Sequence, residues 1–182
     1  MADVSGLPIP DAGPLFLIAL GAHVLAGVTC VGSGAVAALS RKGSVLHVRG
    51  GRVYVLGLVA VAATMAVMVV IRWEHNAHLV PIGLVAAAAG LAGYLERRSG
   101  ARHDRLHIVA MGVSYVALLT GFYVDNGPHL PVWNRLPDWS FWGLPSLVGF
   151  PIIVAAVRRA TAAGTKPPAS VAAEGDEQVQ RP

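Results

Sequence analysis

The stretch that decides the fold is LFLIALGAHVLAGVTCVGSGAVAAL, residues 15–39, followed at once by SRKGSVLHVRGGR, residues 40–52. The first part contains no Asp, Glu, Lys or Arg, but it carries one imidazole, His23. A helix of about 25 residues, rising about 1.5 Å per residue, can cross a hydrocarbon layer about 30 Å thick. The second part is basic, and a basic segment next to a span stays on the cytoplasmic side. The stretch therefore predicts a membrane helix and its orientation.

The composition of the whole chain also indicates a membrane protein. Of its 182 residues, 54% are hydrophobic and only 13% are charged, whereas about 25% are charged in a soluble domain. The formal charge of +4 comes from basic residues at the ends of apolar blocks, where topology requires them. We therefore expect a lipid bilayer as partner, no nucleic acid, and one helical bundle without a second domain. Residues 1–14 lack the basic start of a signal peptide and are predicted to be a short extracytoplasmic segment.

Five apolar blocks predict an all-α bundle over residues 15–158. They cover residues 15–39, 53–71, 79–95, 106–124 and 141–157. The fifth block contains Pro145 and Pro151, so a re-entrant segment and four crossings are the alternative. Residues 159–182 are predicted to be a disordered cytoplasmic tail, because they lack large apolar side chains apart from two valines. No repeat of fixed period is visible.

The distribution of basic residues predicts the orientation. The connections after the first and third blocks and the tail after the fifth each hold four Lys or Arg residues, whereas the other two connections hold only Arg72 and Arg135. The positive-inside rule then gives five crossings, with the N-terminus outside and the C-terminus inside a bacterial cytoplasmic (inner) membrane. The tryptophans mark the opposite boundary as an aromatic belt; they are Trp73, Trp133, Trp139 and Trp142.

Small residues four positions apart indicate surfaces where helices pack closely in lipid. The pairs are Ala22 with Ala26, Ala86 with Gly90, and Ala89 with Gly93. The alternative is that Ala and Gly are simply frequent in this chain. Close packing surfaces also suit a homo-oligomer or association with other membrane subunits.

Seven histidines fall into layers at different depths. The inner boundary has His47, His103 and His107; the outer side has His75, His78 and His129. His23 lies in the outer half of the first helix, about 25 Å from its inner end, so it cannot share a haem with His107. His47 and His107 can together hold haem b, with Arg49 and Arg52 near the propionates. His23 with His75 or His78 is a looser outer combination.

Other readings of these histidines stay open. His23 is an ionisable group inside the bilayer, so it marks either a functional site or a hydrogen bond to a neighbouring helix. His103 and His107 are four apart and share a helix face, which suits a metal ion or a headgroup-facing pair. His75 and His78 follow Glu74, and three such ligands in one polar loop are a weak metal signal.

The chain resembles a family of bacterial multi-pass membrane proteins known only as a domain of unknown function. The first shared pattern is a helix-one histidine, His23, followed by a basic HRxxGR-type loop, here HVRGGR with His47 and Arg52. The second is HxxxMxxSY, which begins at His107 and ends at Tyr115. Val48 stands where the family commonly has Arg. The resemblance covers about residues 22–123, and it implies a membrane protein whose sites include these histidines, Arg52 and Tyr115.

Three functions remain open from the sequence. The first is a small membrane redox or cofactor-binding protein with histidine ligands, for which haem b is one candidate cofactor. The second is a cofactor-free transport, sensing or assembly factor that uses His23, and the third is a structural subunit of a larger complex. No nucleophile elbow, phosphate loop or HExxH motif is present, so the sequence does not decide whether the protein is an enzyme.

Overall fold

A computed structural model describes residues 2–4, 7–9, 13–99 and 104–164 as a bundle of five long helices. The helices are α1 (Gly13–Leu39), α2 (Val45–Ile71), the short α3 (Trp73–Asn76), α4 (Val80–Arg98), α5 (Asp104–Asn126) and α6 (Trp139–Gly164). Single 3-10 turns cover Ala77–Leu79, Gly127–His129 and Trp133–Arg135. Before α1, strands β1 (Ala2–Val4) and β2 (Leu7–Ile9) form an antiparallel hairpin. All helices except α3 are long and apolar enough to cross a membrane, which confirms the predicted all-α bundle of five spans.

The surface of the bundle is apolar. In the five spans only 17–28% of the residues are buried inside the protein, and large aliphatic side chains such as Leu39 and Val70 are 88% and 83% exposed. Such a surface is favourable in hydrocarbon, because apolar side chains gain nothing there by leaving the lipid tails. The chain is therefore a multi-pass membrane protein whose outer surface suits lipid.

The second helix begins earlier than its apolar block predicts, at Val45 instead of residue 53. Ser44 caps it, because its side chain accepts a hydrogen bond from the backbone N–H of His47 at 3.2 Å, and this satisfies a free donor of the first turn. The basic segment with His47 and Arg52 is thus helical, and the connection between α1 and α2 is short. The basic residues of this segment predict a loop, because a count of charges does not show that Ser44 can cap a helix.

The fifth apolar block forms α6, a continuous helix that contains both Pro145 and Pro151. The prolines remove two helical hydrogen bonds, but the helix runs on to Gly164, beyond the predicted end at residue 157. This length is that of a spanning helix, and the four-crossing alternative is not what the structure shows. Residues 165–182, most of the predicted disordered tail, lie outside the described residues.

Helices α1 and α2 form one antiparallel hairpin and α4 and α5 another, and α2 packs against α4 between them. Helix α6 packs on α5, whereas α1 and α5 touch only sparsely. The shared core is a cluster of buried residues: Cys30, Tyr54, Val55, Leu58 and Ala86. We call the end of the bundle with residues 40–44 and the α4–α5 connection the basic end, and the opposite end the aromatic end.

One predicted pair of small residues lies at this core. A Cβ atom on Gly90 would lie 2.5 Å from Leu58 Cδ2, and Ala86 is buried, so this part of α4 packs closely as predicted. Ala22, in contrast, is exposed on α1, and its spacing from Ala26 reflects composition rather than packing.

Candidate functional site

His47 and His107 face each other at the basic end of the bundle. His47 lies in the first turn of α2 and His107 in the first turn of α5. Their ring centroids are 6.3 Å apart, with an angle of 72° between the ring planes. Both side chains are half-buried. The sequence predicts that His47 and His107 lie at the same depth in the membrane, and the structure places them next to each other.

The same kind of hydrogen bond holds each ring. His47 Nδ1 is 2.8 Å from the carbonyl oxygen of Ala37 on α1, and His107 Nδ1 is 2.8 Å from that of Gly93 on α4. A carbonyl oxygen can only accept a hydrogen bond, so both Nδ1 atoms carry the proton. In a neutral imidazole the lone pair is then on Nε2. Metal-binding histidines are usually oriented in this way, with the second nitrogen donating to a carbonyl.

Small residues let the helices of each hairpin approach closely at this level. A Cβ atom on Gly50 would lie 3.0 Å from the carbonyl oxygen of Ser33 and 3.3 Å from the Cβ of Ala37, so a larger residue there would press on α1. In the second hairpin a Cβ on Gly93 would lie 3.2 Å from the Cβ of Ala110. This close approach puts a carbonyl of the first helix within reach of the histidine on the second. The hydrogen bonds to the rings therefore follow from the small residues.

The two hairpins present their residues in the same order. Each first helix has a buried small residue, then a glycine, then the residue whose carbonyl binds the ring: Cys30, Gly34, Ala37 and Ala86, Gly90, Gly93. Each second helix has a histidine, a small residue, a hydroxyl side chain and a leucine at matching spacing: His47, Gly50, Tyr54, Leu58 and His107, Ala110, Ser114, Leu118. The histidine follows its carbonyl partner by 10 residues in the first hairpin and by 14 in the second. This difference hides the repeat from a search for a fixed period.

Equivalent residues of the two hairpins also meet each other. His47 faces His107, and one level towards the aromatic end the hydroxyls of Tyr54 and Ser114 hydrogen-bond at 2.7 Å. A residue that contacts its own counterpart is characteristic of a twofold interface. The histidine pair thus lies where an approximate twofold axis between the hairpins would pass.

A layer of buried hydroxyl groups lies next to the histidines. Ser114 is fully buried, and its hydroxyl donates to the carbonyl of Ala86 at 2.8 Å, so the proton of the Tyr54–Ser114 bond comes from Tyr54. Tyr115 donates to the carbonyl of Val31 at 3.0 Å, and its ring centroid is 6.1 Å from that of Tyr54. The sequence singles out Tyr115 as a site residue, includes Ser114 only within the HxxxMxxSY pattern and assigns Tyr54 no role in a site. The matched spacing of Tyr54 and Ser114 from the two histidines was the signal for them.

The charges near the pair come from the α1–α2 connection and the end of α4. The positive charges of Arg97 and Lys42 act on His107, and Arg97 forms an ion pair with Asp104 at the start of α5. Arg52, which the sequence assigns to the site, is exposed on α2. It is five residues from His47 and therefore lies on a different side of the helix. The structure does not bring Arg52 to the histidine pair.

His23 lies apart from the His47–His107 pair, towards the aromatic end of the bundle. Its Nδ1 is 3.0 Å from the hydroxyl oxygen of Thr64 on α2, and that hydroxyl donates to the carbonyl of Ala60 at 2.8 Å. With its proton used, the Thr64 oxygen accepts from His23. The negative charge of Asp125 on α5 also acts on His23. The structure thus gives His23 the partner helix that an intramembrane imidazole requires.

The remaining histidines do not form a ligand cluster in the part of the chain that the structure describes. His75 and His78 are exposed on α3 and the following turn, and His103 lies outside the described residues. Within residues 13–99 and 104–164, no three His, Cys, Asp or Glu side chains come together to hold a metal ion. The two metal sites predicted from the sequence, His75 with His78 and His103 with His107, stay predictions.

Comparison with known proteins gives no match to a family model, to a curated protein or to a solved structure. The function must therefore be argued from the site itself.

Proposed function

We propose that the protein binds a metal-centred cofactor, haem b, between His47 and His107. The observation that carries this proposal is the shared orientation of the two rings. Each donates Nδ1–H to a backbone carbonyl at 2.8 Å, so two Nε2 lone pairs are available in one layer of the bundle. Two neutral imidazoles held in this way are the donor set of a six-coordinate haem.

The two rings are close enough to hold one group. Their centroids are 6.3 Å apart, with the ring planes at 72°, and the rings come from different hairpins. His47 and His107 would each supply one nitrogen to the metal ion.

The residues of the chain would bind and orient such a group. Haem b supplies one-electron chemistry when bound. Ala37 and Gly93 fix the tautomer and direction of the two rings through their carbonyls. Lys42 places positive charge near His107, which favours acidic substituents at the basic end, whereas the charge of Arg97 is paired with Asp104. The buried Tyr54–Ser114 bond closes the site towards the centre of the membrane.

The test is the absorbance of the purified full chain after expression with sufficient haem. We expect a Soret band and the visible bands of a low-spin haem with two histidine ligands. His129→Ala is a matched control, because His129 is exposed at the aromatic end, and it should leave the spectrum unchanged. A colourless wild-type protein would overturn the proposal.

A second candidate function rests on His23. An imidazole bonded to a threonine inside a spanning bundle can serve as a proton or substrate site of a cofactor-free transporter or sensor. Proteoliposomes that contain a pH-sensitive dye would show this activity as proton flux. His23→Ala should abolish the flux and His129→Ala should preserve it. Equal flux in wild type and His23→Ala would reject this candidate.

The expected setting is the bacterial cytoplasmic membrane, with the N-terminus outside and the C-terminus inside. The basic residues near the α1–α2 and α4–α5 connections and at the end of α6 support this orientation. Membership of the family of uncharacterised bacterial multi-pass membrane proteins that the chain resembles is part of the same proposal. Association with further subunits or with a second copy of the chain is also proposed. Co-purification from mild detergent would test the association.

A further inference from the structure

Arg49 and Arg52 form a basic pair on the outer surface of α2. They are three positions apart, so their side chains lie next to each other on one face of the helix. Both are exposed, and within residues 13–99 and 104–164 neither guanidinium has an ion-pair partner. Residues 12–73 contain no Asp or Glu. Helices α1 and α2 and their connection therefore supply no counterion for the two charges.

The second hairpin shows how protein covers the equivalent face. The matching order of residues in the two hairpins places Gly112 of α5 at the position that Arg52 has in α2. Helix α6 packs on this face of α5, because a Cβ on Gly112 would lie 2.6 Å from Ile153 Cγ1, and Gly149 lies against Val116. In the part of the chain that the structure describes, no helix covers the matching face of α2, which is exposed. The arginines thus stand where the bundle meets lipid.

The pair lies at the depth where headgroups meet acyl chains. Helix α2 has 27 residues and is about 40 Å long, whereas the hydrocarbon layer is about 30 Å thick. Arg52 is seven residues, or about 10 Å, from the beginning of α2 at the basic end. A long basic side chain at this depth extends towards the headgroups. One turn deeper on the same face, Leu56 is 72% exposed and is available to an acyl chain.

We propose that Arg49 and Arg52 bind the phosphate group of one anionic phospholipid, whose acyl chains lie along Leu56. A guanidinium fits phosphate because two of its N–H groups donate to two oxygens in parallel. Two cations one turn apart repel each other, and a bound anion removes this repulsion. A zwitterionic lipid is less suitable, because residues 12–73 have no carboxylate to receive the cation of its headgroup. The site is independent of the histidine pair.

Native mass spectrometry of the purified full chain, titrated with phosphatidylglycerol in detergent, measures this binding. We expect one tightly bound lipid per wild-type chain and much weaker binding of phosphatidylcholine with the same acyl chains. Arg49→Gln combined with Arg52→Gln should weaken phosphatidylglycerol binding about 30-fold, because each basic residue near a lipid surface contributes about a factor of five. Equal affinity for the two lipids, or displacement of phosphatidylglycerol by inorganic phosphate, would overturn the proposal.

The matched control removes the same charge from the same end of the bundle. Arg158 and Arg159 are exposed near the end of α6, but as adjacent residues they point to different sides of the helix. Replacing both with Gln should leave the affinity for phosphatidylglycerol unchanged, and a loss equal to that of the Arg49 and Arg52 variant would reject the site.

A conservative variant keeps the charges that orient the chain in the membrane. Arg49→Lys combined with Arg52→Lys retains both cations but cannot bind phosphate through two parallel N–H groups. We therefore expect binding of phosphatidylglycerol about threefold weaker than that of the wild type, with normal insertion. Wild-type affinity in this variant would show that the two residues act only as charges and would overturn the proposed phosphate site.

Discussion

At the scale of single residues, hydrogen bonds to backbone carbonyls determine what the polar side chains can do. The carbonyls of Ala37 and Gly93 direct the two imidazoles, and that of Ala86 directs the hydroxyl of Ser114. The carbonyls of Gly93 and Ala86 lie inside α4 and use a second lone pair here, whereas that of Ala37 lies in the last turn of α1, where the helix supplies no N–H for it. The helix backbone therefore fixes the protonated atom of each side chain without any charged partner.

Ser114→Ala should destabilise the protein by about 1–2 kcal/mol, because it leaves the buried Tyr54 hydroxyl without a partner in an apolar core. Tyr54→Phe should cost less, since Ser114 keeps its bond to Ala86. Reversible unfolding in mixed micelles with increasing denaturing detergent would measure both free energies. A smaller loss for Ser114→Ala than for Tyr54→Phe would contradict the assigned direction of these bonds.

The sequence predicts the depth of each histidine but not its hydrogen bonds. Counting residues along the helices was enough to separate His23 from His107 and to pair His47 with His107, because helical rise is constant. Arg52 belongs to the predicted site as a partner for propionates and through the HRxxGR-type pattern, but the segment is helical and Arg52 lies on a different side of the helix from His47. The sequence predicts no contact between Tyr54 and Ser114, because a hydroxyl in an apolar block carries no charge, and their spacing has meaning only once the two hairpins are compared.

At the scale of the helices, glycines and alanines decide which faces can meet. Gly50, Gly90 and Gly93 each lie against a neighbouring helix, whereas Gly27 and Gly32 on α1 would have nothing within 4 Å of an added Cβ. Composition alone does not distinguish these glycines. The position of the neighbouring helix shows which of them form an interface. The predicted close packing is confirmed for Ala86 and Gly90, whereas Ala22 is exposed.

Gly90→Ala should destabilise the bundle by about 1–3 kcal/mol, because the new methyl group would lie 2.5 Å from Leu58 and 2.7 Å from Ser114. Gly32→Ala is the matched control in another spanning helix. It should be neutral or stabilise by up to about 1 kcal/mol, since alanine is the better helix former. Unfolding in the same detergent series measures the two. Equal effects would show that α4 does not pack as described.

At the scale of the whole molecule, the structure is two similar hairpins with one added helix, α6. The overall class followed from composition, because five apolar blocks of spanning length allow few alternatives. The repeat was not predicted from the sequence, because the second hairpin has four more residues between its matching positions. The histidine follows its carbonyl partner by 10 residues in the first hairpin and by 14 in the second. The sequence predicts the beginning of α2 too late, because the segment from Val45 to Arg52 is basic and has low hydropathy. It is nevertheless helical, with Ser44 as its cap.

Five crossings require the two ends of the described bundle to lie on opposite sides of the membrane. A fluorescent protein that folds only in the cytoplasm, fused after Gly164, should fluoresce. A periplasm-dependent phosphatase fused there should be inactive, and the same phosphatase inserted after Asn126 should be active. Activity of the phosphatase at the first position would contradict the orientation that the basic residues predict.

Titration of haemin into the purified chain in nanodiscs tests whether the two hairpins each contribute one ligand to a shared haem. We expect saturation at about one haemin per chain with a low-spin, six-coordinate spectrum. That spectrum should be lost in His47→Ala and in His107→Ala alike and retained in His23→Ala. An unchanged spectrum in either of the first two variants, or no saturable binding by the wild type, would contradict the proposed haem site.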